Sequence, residues 1–182
     1  QPEWLGQQHS SASLPWFVRR AIQVPSLRVE LLHYVAHQTA ATQEVATELL
    51  DELGGEVVLV PEIKPGATSA EVDSVLDEFT ERGLTASLIV QSFDFAAAKT
   101  IADRGYTSLY LMGSTMPKES PAEIKDAGIE WVGPSKNLPT NKMRELDKAG
   151  FHVAPYTLAT AKDGHRLPGF IDGYFTDDAW TD

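Results

Sequence analysis

From residue 57 onward, short apolar runs alternate with longer stretches whose apolar positions recur every three or four residues. The runs Val57–Pro61, Ala86–Gln91, Ser108–Met112, Glu130–Gly133, His152–Tyr156 and Gly173–Thr176 predict β-strands. Blocks this short, rich in apolar residues and bounded by turn signals, suit strands buried on both faces. The stretches between them predict helices at Ser69–Arg82, Phe95–Asp103, Pro121–Asp126 and Asn141–Lys148. Arg82-Gly83, Arg104-Gly105, Ala127-Gly128 and Ala149-Gly150 each put glycine just past a helix end, where a left-handed residue closes the last turn. Thr68 or Ser69 is expected to cap the first helix and Thr140 the fourth. The connection after Tyr156 is weakly patterned and carries Pro168 and Gly169, so a degraded helix is expected there.

The strand ends fall at Glu62, Gln91, Met112, Gly133, Tyr156 and Thr176. Their spacing of roughly 20–30 residues is that of a βα unit. A barrel is favoured over an open doubly wound sheet, because polar residues recur at strand ends and no glycine-rich phosphate loop is present. The predicted fold class is therefore α/β, a TIM-type (β/α)8 barrel of which this chain covers roughly the last six βα units. Strand number, tilt and shear are coupled, so a six-stranded arc cannot close with the geometry of eight. The first two units are expected to be missing, leaving open barrel edges that invite self-association.

Residues 1–56 read differently from the repeats of residues 57–182, although no linker divides them and one domain, 1–182, is expected. Gln1–Arg20 lacks clear periodicity. Pro25–Leu53 reads as a long helix, with Leu27, Leu31, Tyr34 and Val35 on one face and Val45, Leu49 and Leu50 continuing it to Gly54-Gly55.

A length of 182 residues suffices for one sizeable core. The net charge of -11 argues against nucleic acid or an anionic membrane as a partner. No apolar run approaches the roughly 20 residues of a spanning helix, so the chain is not expected to be transmembrane. Cysteine is absent, which excludes disulfides, thiol catalysis and zinc–thiolate sites. The chain starts at Gln1 rather than Met and reads as a processed product or a fragment.

Chemistry concentrates at Val57-Val58-Leu59-Val60-Pro61-Glu62-Ile63-Lys64-Pro65. Glu62 and Lys64 occupy alternate positions and so share one side of the strand. At the C-terminal rim of a barrel that pairing suits a divalent cation beside a phosphate, or simply a buried ion pair. Gln91 stands at the next strand end, to hydrogen-bond a substrate or to satisfy the rim. Phe93 follows it, to pack or to stack. Asp172 and Asp177 flank the last strand, and Asp177 is expected to order a rim loop. His33 and His37 have the i, i+4 spacing of metal ligands but lack the glutamate of the zinc-protease pattern, so they read as a solvated helix face. His152 and His165 stand alone and read as packing or surface residues.

Several of these segments, in order, resemble the C-terminal three-quarters of a glycerophosphodiester phosphodiesterase domain. Val24-Pro25-Ser26-Leu27 is similar to that family's Pro-Thr-Leu helix start. Glu62-Ile63-Lys64 matches its Glu-Ile-Lys strand end, and Gln91-Ser92-Phe93 its Gln/Ser-Ser-Phe strand end. Tyr156-Thr157 stands where the family has Trp-Thr, and Asp172-Gly173-Tyr174-Phe175-Thr176-Asp177 matches its closing strand. The resemblance implies a metal-dependent hydrolase that uses Ca²⁺ or Mg²⁺ to cleave a small glycerophosphodiester into glycerol 3-phosphate and an alcohol. It implies that Glu62 is one of three carboxylate metal ligands, that Lys64 contacts phosphate, and that Tyr156 and Phe93 line the glycerol pocket. The family's His-Arg-Gly, Glu-x-Asp and His-Asp motifs are absent, so no catalytic histidine is assigned. A chain lacking them is expected to be nearly inactive alone, or to be a truncated relative that serves as a binding or scaffold module.

Overall fold

The computed structural model describes residues 20–24, 27–31, 58–164 and 166–176. Its strands are β1 (Arg20–Val24), β2 (Leu27–Leu31), β3 (Val58–Leu59), β4 (Glu62–Ile63), β5 (Ile89–Ser92), β6 (Thr107–Met112), β7 (Trp131–Pro134), β8 (His152–Val153) and β9 (Phe175–Thr176). The helices are α1 (Ser69–Glu81), α2 (Phe95–Asp103), α3 (Pro121–Asp126), α4 (Thr140–Lys148) and the single turn α5 (Ala161–Gly164), with a 3₁₀ turn at Thr85–Ser87.

Strands β4 to β8 pair in sequence order, every pair parallel. Strands β3 and β4 are two pieces of one run that also bridges Leu59 to Leu88 ahead of β5. Beyond β8, Ser135 bridges Tyr156 and Leu158 bridges Thr176, both parallel. These links carry the ladder from Val58 round to β9 as a parallel βα arc, the TIM-barrel architecture expected from the spacing of strand ends.

The arc does not seal on itself. Strands β1 and β2 pair antiparallel, Val24 opposite Leu27 and Arg20 opposite Leu31. Strand β1 then pairs antiparallel with β9, and β2 parallel with β3. A hairpin thus bridges the two edges that had been expected to lie open. It also corrects the predicted helix at its start, since residues 27–31 are strand, and it places strand at the end of the segment read as irregular. The reason lies in Leu27-Arg28-Val29-Glu30-Leu31. Leu27 and Leu31 satisfy both a helical and an alternating pattern, but Val29 fits only alternation. Pro25, Ser26 and the rest of the predicted helix lie outside the described residues.

Alternate residues of each strand face opposite ways and build two cores. Val60, Leu109, Leu111, Ala154 and Phe175 fill the barrel interior, with Val58, Ile89, Trp131 and Tyr156 against them. Leu59, Ile63, Leu88 and Val90 face outward to Val72, Leu76 and Phe79 of α1 and to Ala97 and Ile101 of α2. Tyr110, Met112, Val132 and Val153 do the same toward Ile124 of α3 and Met143 and Leu146 of α4. Each fully buried Leu, Ile or Phe contributes about 1.5–3 kcal/mol, and these layers hold the strand ends at fixed heights.

Local signals set the helix limits. Thr68 caps α1 in a reciprocal capping box with Glu71, and Ser120 does the same for α3 with Glu123. Asp94 caps α2 by accepting from the Ala96 and Ala97 amides. Gly83, Gly105, Gly128 and Gly150 have φ of 70°, 82°, 76° and 85°, the left-handed closures read from the sequence. The exception is α4, where Thr140 is already helical and Pro139 holds the cap position without a side-chain bond.

Candidate functional site

The parallel strands all end at one face, and their last interior positions converge there. Glu62 and Lys64 lie on the same side of their run, as alternation requires. Lys64 Nζ stands 2.8 Å from Glu62 Oε1. Glu62 is buried, with 3% exposure, whereas Lys64 keeps 30% and remains open to solvent at the rim. The carboxylate therefore anchors the ammonium while leaving part of it reachable from the mouth.

Gln91 sits beside Glu62 in parallel register, and its backbone N–H donates to the Pro61 carbonyl at 2.9 Å. Its side chain is 1% exposed. No donor among the described residues reaches Gln91 Oε1. Ser92, on the outer side of the same strand, spends its hydroxyl on the Ile63 carbonyl at 2.7 Å and ties β5 to β4.

Two aromatic rings meet at this end of the barrel. Phe93 and Tyr156 stand 5.6 Å apart at 89°, edge to face. Phe93 is the exposed large apolar side chain of the described residues. The Tyr156 hydroxyl donates to the Met112 carbonyl at 2.7 Å. Its proton is thus committed to the protein, and the ring is what stands beside Phe93. The sequence-nominated residues Glu62, Lys64, Gln91, Phe93 and Tyr156 accordingly occupy one end of one barrel, in an ion pair, a register pair and a ring pair.

Beneath this rim Gly133 holds the interior open. A Cβ there would lie 2.8 Å from Cδ2 of both Leu109 and Leu111 and 3.4 Å from the Ala154 carbonyl oxygen. Read from the sequence only as a strand end, Gly133 leaves space for two leucines on the neighbouring strand.

His152 is not alone, contrary to its reading as an isolated residue. Its Nδ1 stands 3.3 Å from Asp172 Oδ1. Its ring lies 4.6 Å from that of Trp131. Asp172 Oδ2 also accepts from the Val153 amide at 2.9 Å. Residues 131 and 152 begin their strands, so this group lies at the end of the barrel opposite Glu62. Asp172 reads there as an orienting carboxylate. His33, His37, His165 and Asp177 lie outside the described residues.

Ca²⁺ takes six to eight oxygen ligands and Mg²⁺ six. Among the described residues no group of three His, Cys, Asp or Glu side chains could hold such an ion. Of the three carboxylates implied by the resemblance, the described rim supplies Glu62, already bound to Lys64. The described residues do not by themselves make a shell that fits either metal. No helix of the described residues is long and apolar enough to cross a membrane.

No family model matches the chain. No curated protein matches it significantly. Solved structures do. A glycerophosphodiester phosphodiesterase of Parabacteroides distasonis superposes with a TM-score of 0.61 at 16% identity, covering 74% of this chain and 59% of its own. A protein of Silicibacter pomeroyi assigned to the glycerophosphoryl diester phosphodiesterases gives 0.59 at 22% identity, covering 72% and 52%. A glycerophosphodiester phosphodiesterase of Agrobacterium tumefaciens gives 0.51 at 16%, covering 72% and 57%. The chain therefore has the α/β-barrel fold of these structures and spans between 52% and 59% of their length.

Proposed function

We propose that this chain is part of a glycerophosphodiester phosphodiesterase-type domain, whose rim receives the phosphate of a glycerophosphodiester at Lys64. The observation that carries this reading is the Glu62–Lys64 pair at the strand end, 2.8 Å apart, with the acid buried and the base reachable. Lysine meets phosphate as a point charge on a flexible stem. Glu62 fixes that charge at the mouth and offsets the cost of holding it near the interior. Phe93 and Tyr156 supply an apolar wall against which a three-carbon backbone can lie.

Hydrolysis further needs a general base for the attacking water, an acid for the leaving alcohol and strong charge neutralisation on the phosphoryl oxygens. Ca²⁺ or Mg²⁺ would supply the last of these when bound. Glu62 would be one ligand, and the described residues do not supply the others that the resemblance implies. With the His-Arg-Gly, Glu-x-Asp and His-Asp motifs absent, acid–base assistance of about 10²–10⁴-fold is missing. The chain alone is thus expected to bind its substrate class and to hydrolyse glycerophosphocholine little or not at all. Ordinary metal-dependent turnover by these 182 residues would show that the machinery has been misplaced.

The second reading, a non-catalytic binding module, draws support from the hairpin that completes the ring without the family's opening motifs. Calorimetry separates the two readings. A phosphodiesterase part should bind glycerol 3-phosphate more tightly when Ca²⁺ or Mg²⁺ is added, the phosphate completing the shell, and lose that gain in Glu62→Ala. A binding module should take glycerol 3-phosphate through Lys64 with no metal requirement. In both, Lys64→Ala should weaken phosphate binding about tenfold or more. Unchanged affinity in that variant discards Lys64 as the phosphate contact.

A further inference from the structure

The Gln91 side chain is buried to 1% exposure at the mouth, beside Glu62, and its Oε1 receives no hydrogen bond from the described residues. Leaving a buried acceptor unmade costs its full desolvation, whereas an apolar side chain of the same shape there would be neutral or stabilising. A polar group kept at that cost in a barrel mouth points to a guest that supplies the missing donor. The neighbours limit what that guest is. Tyr156 has given its proton to Met112, and Ser92 has given its own to Ile63, so neither donates into the mouth. Lys64 is held on Glu62. The remaining chemistry is a neutral donor brought in from outside, at a neutral acceptor set next to a charged pair that handles phosphate.

We propose that Gln91 is the specificity-determining residue of the rim, accepting a hydrogen bond from a hydroxyl of the ligand's glycerol moiety while Lys64 takes its phosphate. This rests on the phosphodiesterase-type reading of the site and deepens it. A site built to pair with a hydroxyl rejects an analogue lacking it, because the buried acceptor is then left desolvated and unpaired. Phosphate alone, or a phosphate on a plain alkyl chain, should therefore bind more weakly than a phosphate carried by a polyol.

The test uses the full chain and three probes: glycerol 3-phosphate, n-propyl phosphate and inorganic phosphate, each titrated calorimetrically. The wild-type protein should prefer glycerol 3-phosphate over n-propyl phosphate by roughly tenfold or more. Gln91→Met, close in volume, should bring that ratio near one and leave n-propyl phosphate affinity within about twofold. The same variant should melt at or above the wild-type temperature in the absence of ligand, since it removes an unsatisfied buried group. A glutamine kept only for structure would lower the melting temperature and leave the ratio alone. Equal binding of the first two probes by wild type overturns the assignment while the phosphodiesterase-type reading survives, and that comparison needs no variant. Retention of the ratio in Gln91→Met overturns it as well. If none of the three probes binds wild type, the phosphodiesterase-type reading falls and this assignment with it.

Discussion

At the scale of single residues, distance along the chain decides what was legible. Glu62 and Lys64 are two positions apart, and alternation alone puts them on one side of a strand. The bond from Tyr156 to Met112 spans 44 residues and follows from no local pattern. It decides the role of the tyrosine all the same. The pairing of His152 with Asp172 was hidden for the same reason, as was the steric demand at Gly133. The sequence showed a glycine at a strand end, but only the packed interior shows the two leucines that need its space. Gly133→Ala is expected to cost about 1–3 kcal/mol through overpacking, read as a lower melting temperature. Wild-type melting would mean that Leu109 and Leu111 can turn aside freely.

Tyr110 gives a residue-scale prediction in pH. Burial, and then the hydrogen bond from its hydroxyl to Glu119 at 3.0 Å, hold its ionisation well above the usual tyrosine range. A pKa raised on folding means stability that is complete below the unfolded value of about 10 and is lost as pH climbs beyond it. Tyr110→Phe should be less stable than wild type at neutral pH by about 1 kcal/mol, for want of the hydrogen bond. That deficit should shrink or reverse above pH of about 10. Melting temperatures of the two proteins that run parallel across the alkaline range would contradict this.

At the scale of elements, capping and closure were readable because they are written within a turn. Thr68 and Glu71 stand three apart, as do Ser120 and Glu123, and both boxes form as the spacing requires. Thr68→Ala should cost about 1 kcal/mol, seen as a downward shift in the urea midpoint with unchanged slope. An unaltered midpoint would show that packing alone holds the start of the first long helix. The fourth helix departed from expectation by one residue, since a proline can occupy the cap position without offering an oxygen. Residues 27–31 departed by type, because five residues with apolar ends satisfy two periods at once. Only pairing with Arg20–Val24 and Val58–Leu59 settles which period is used.

At the scale of the molecule, the spacing of strand ends revealed the barrel, while closure depends on contacts between segments far apart in sequence. The six parallel stations were visible one by one. The hairpin that joins the last to the first was not, because nothing local says which edge a short alternating segment will meet. Deleting residues 1–31 should expose the ladders of Val58–Leu59 and Phe175–Thr176 to solvent. Such edges recruit another chain, so the shortened protein should dimerise or aggregate more than the full chain, as light scattering would reveal. A monomeric, equally stable deletion would show that the hairpin adds nothing to closure.

One strand of the ring runs against the rest. Because Arg20–Val24 is antiparallel to both its neighbours, Arg20 lies level with the finishing ends of the other strands, near where Thr176 also ends. Arg20 and Thr176 therefore lie on the same side of the ring as the opening that holds Glu62 and Lys64. Immobilisation through the outer helices, at Lys99 for example, would leave it facing the solution.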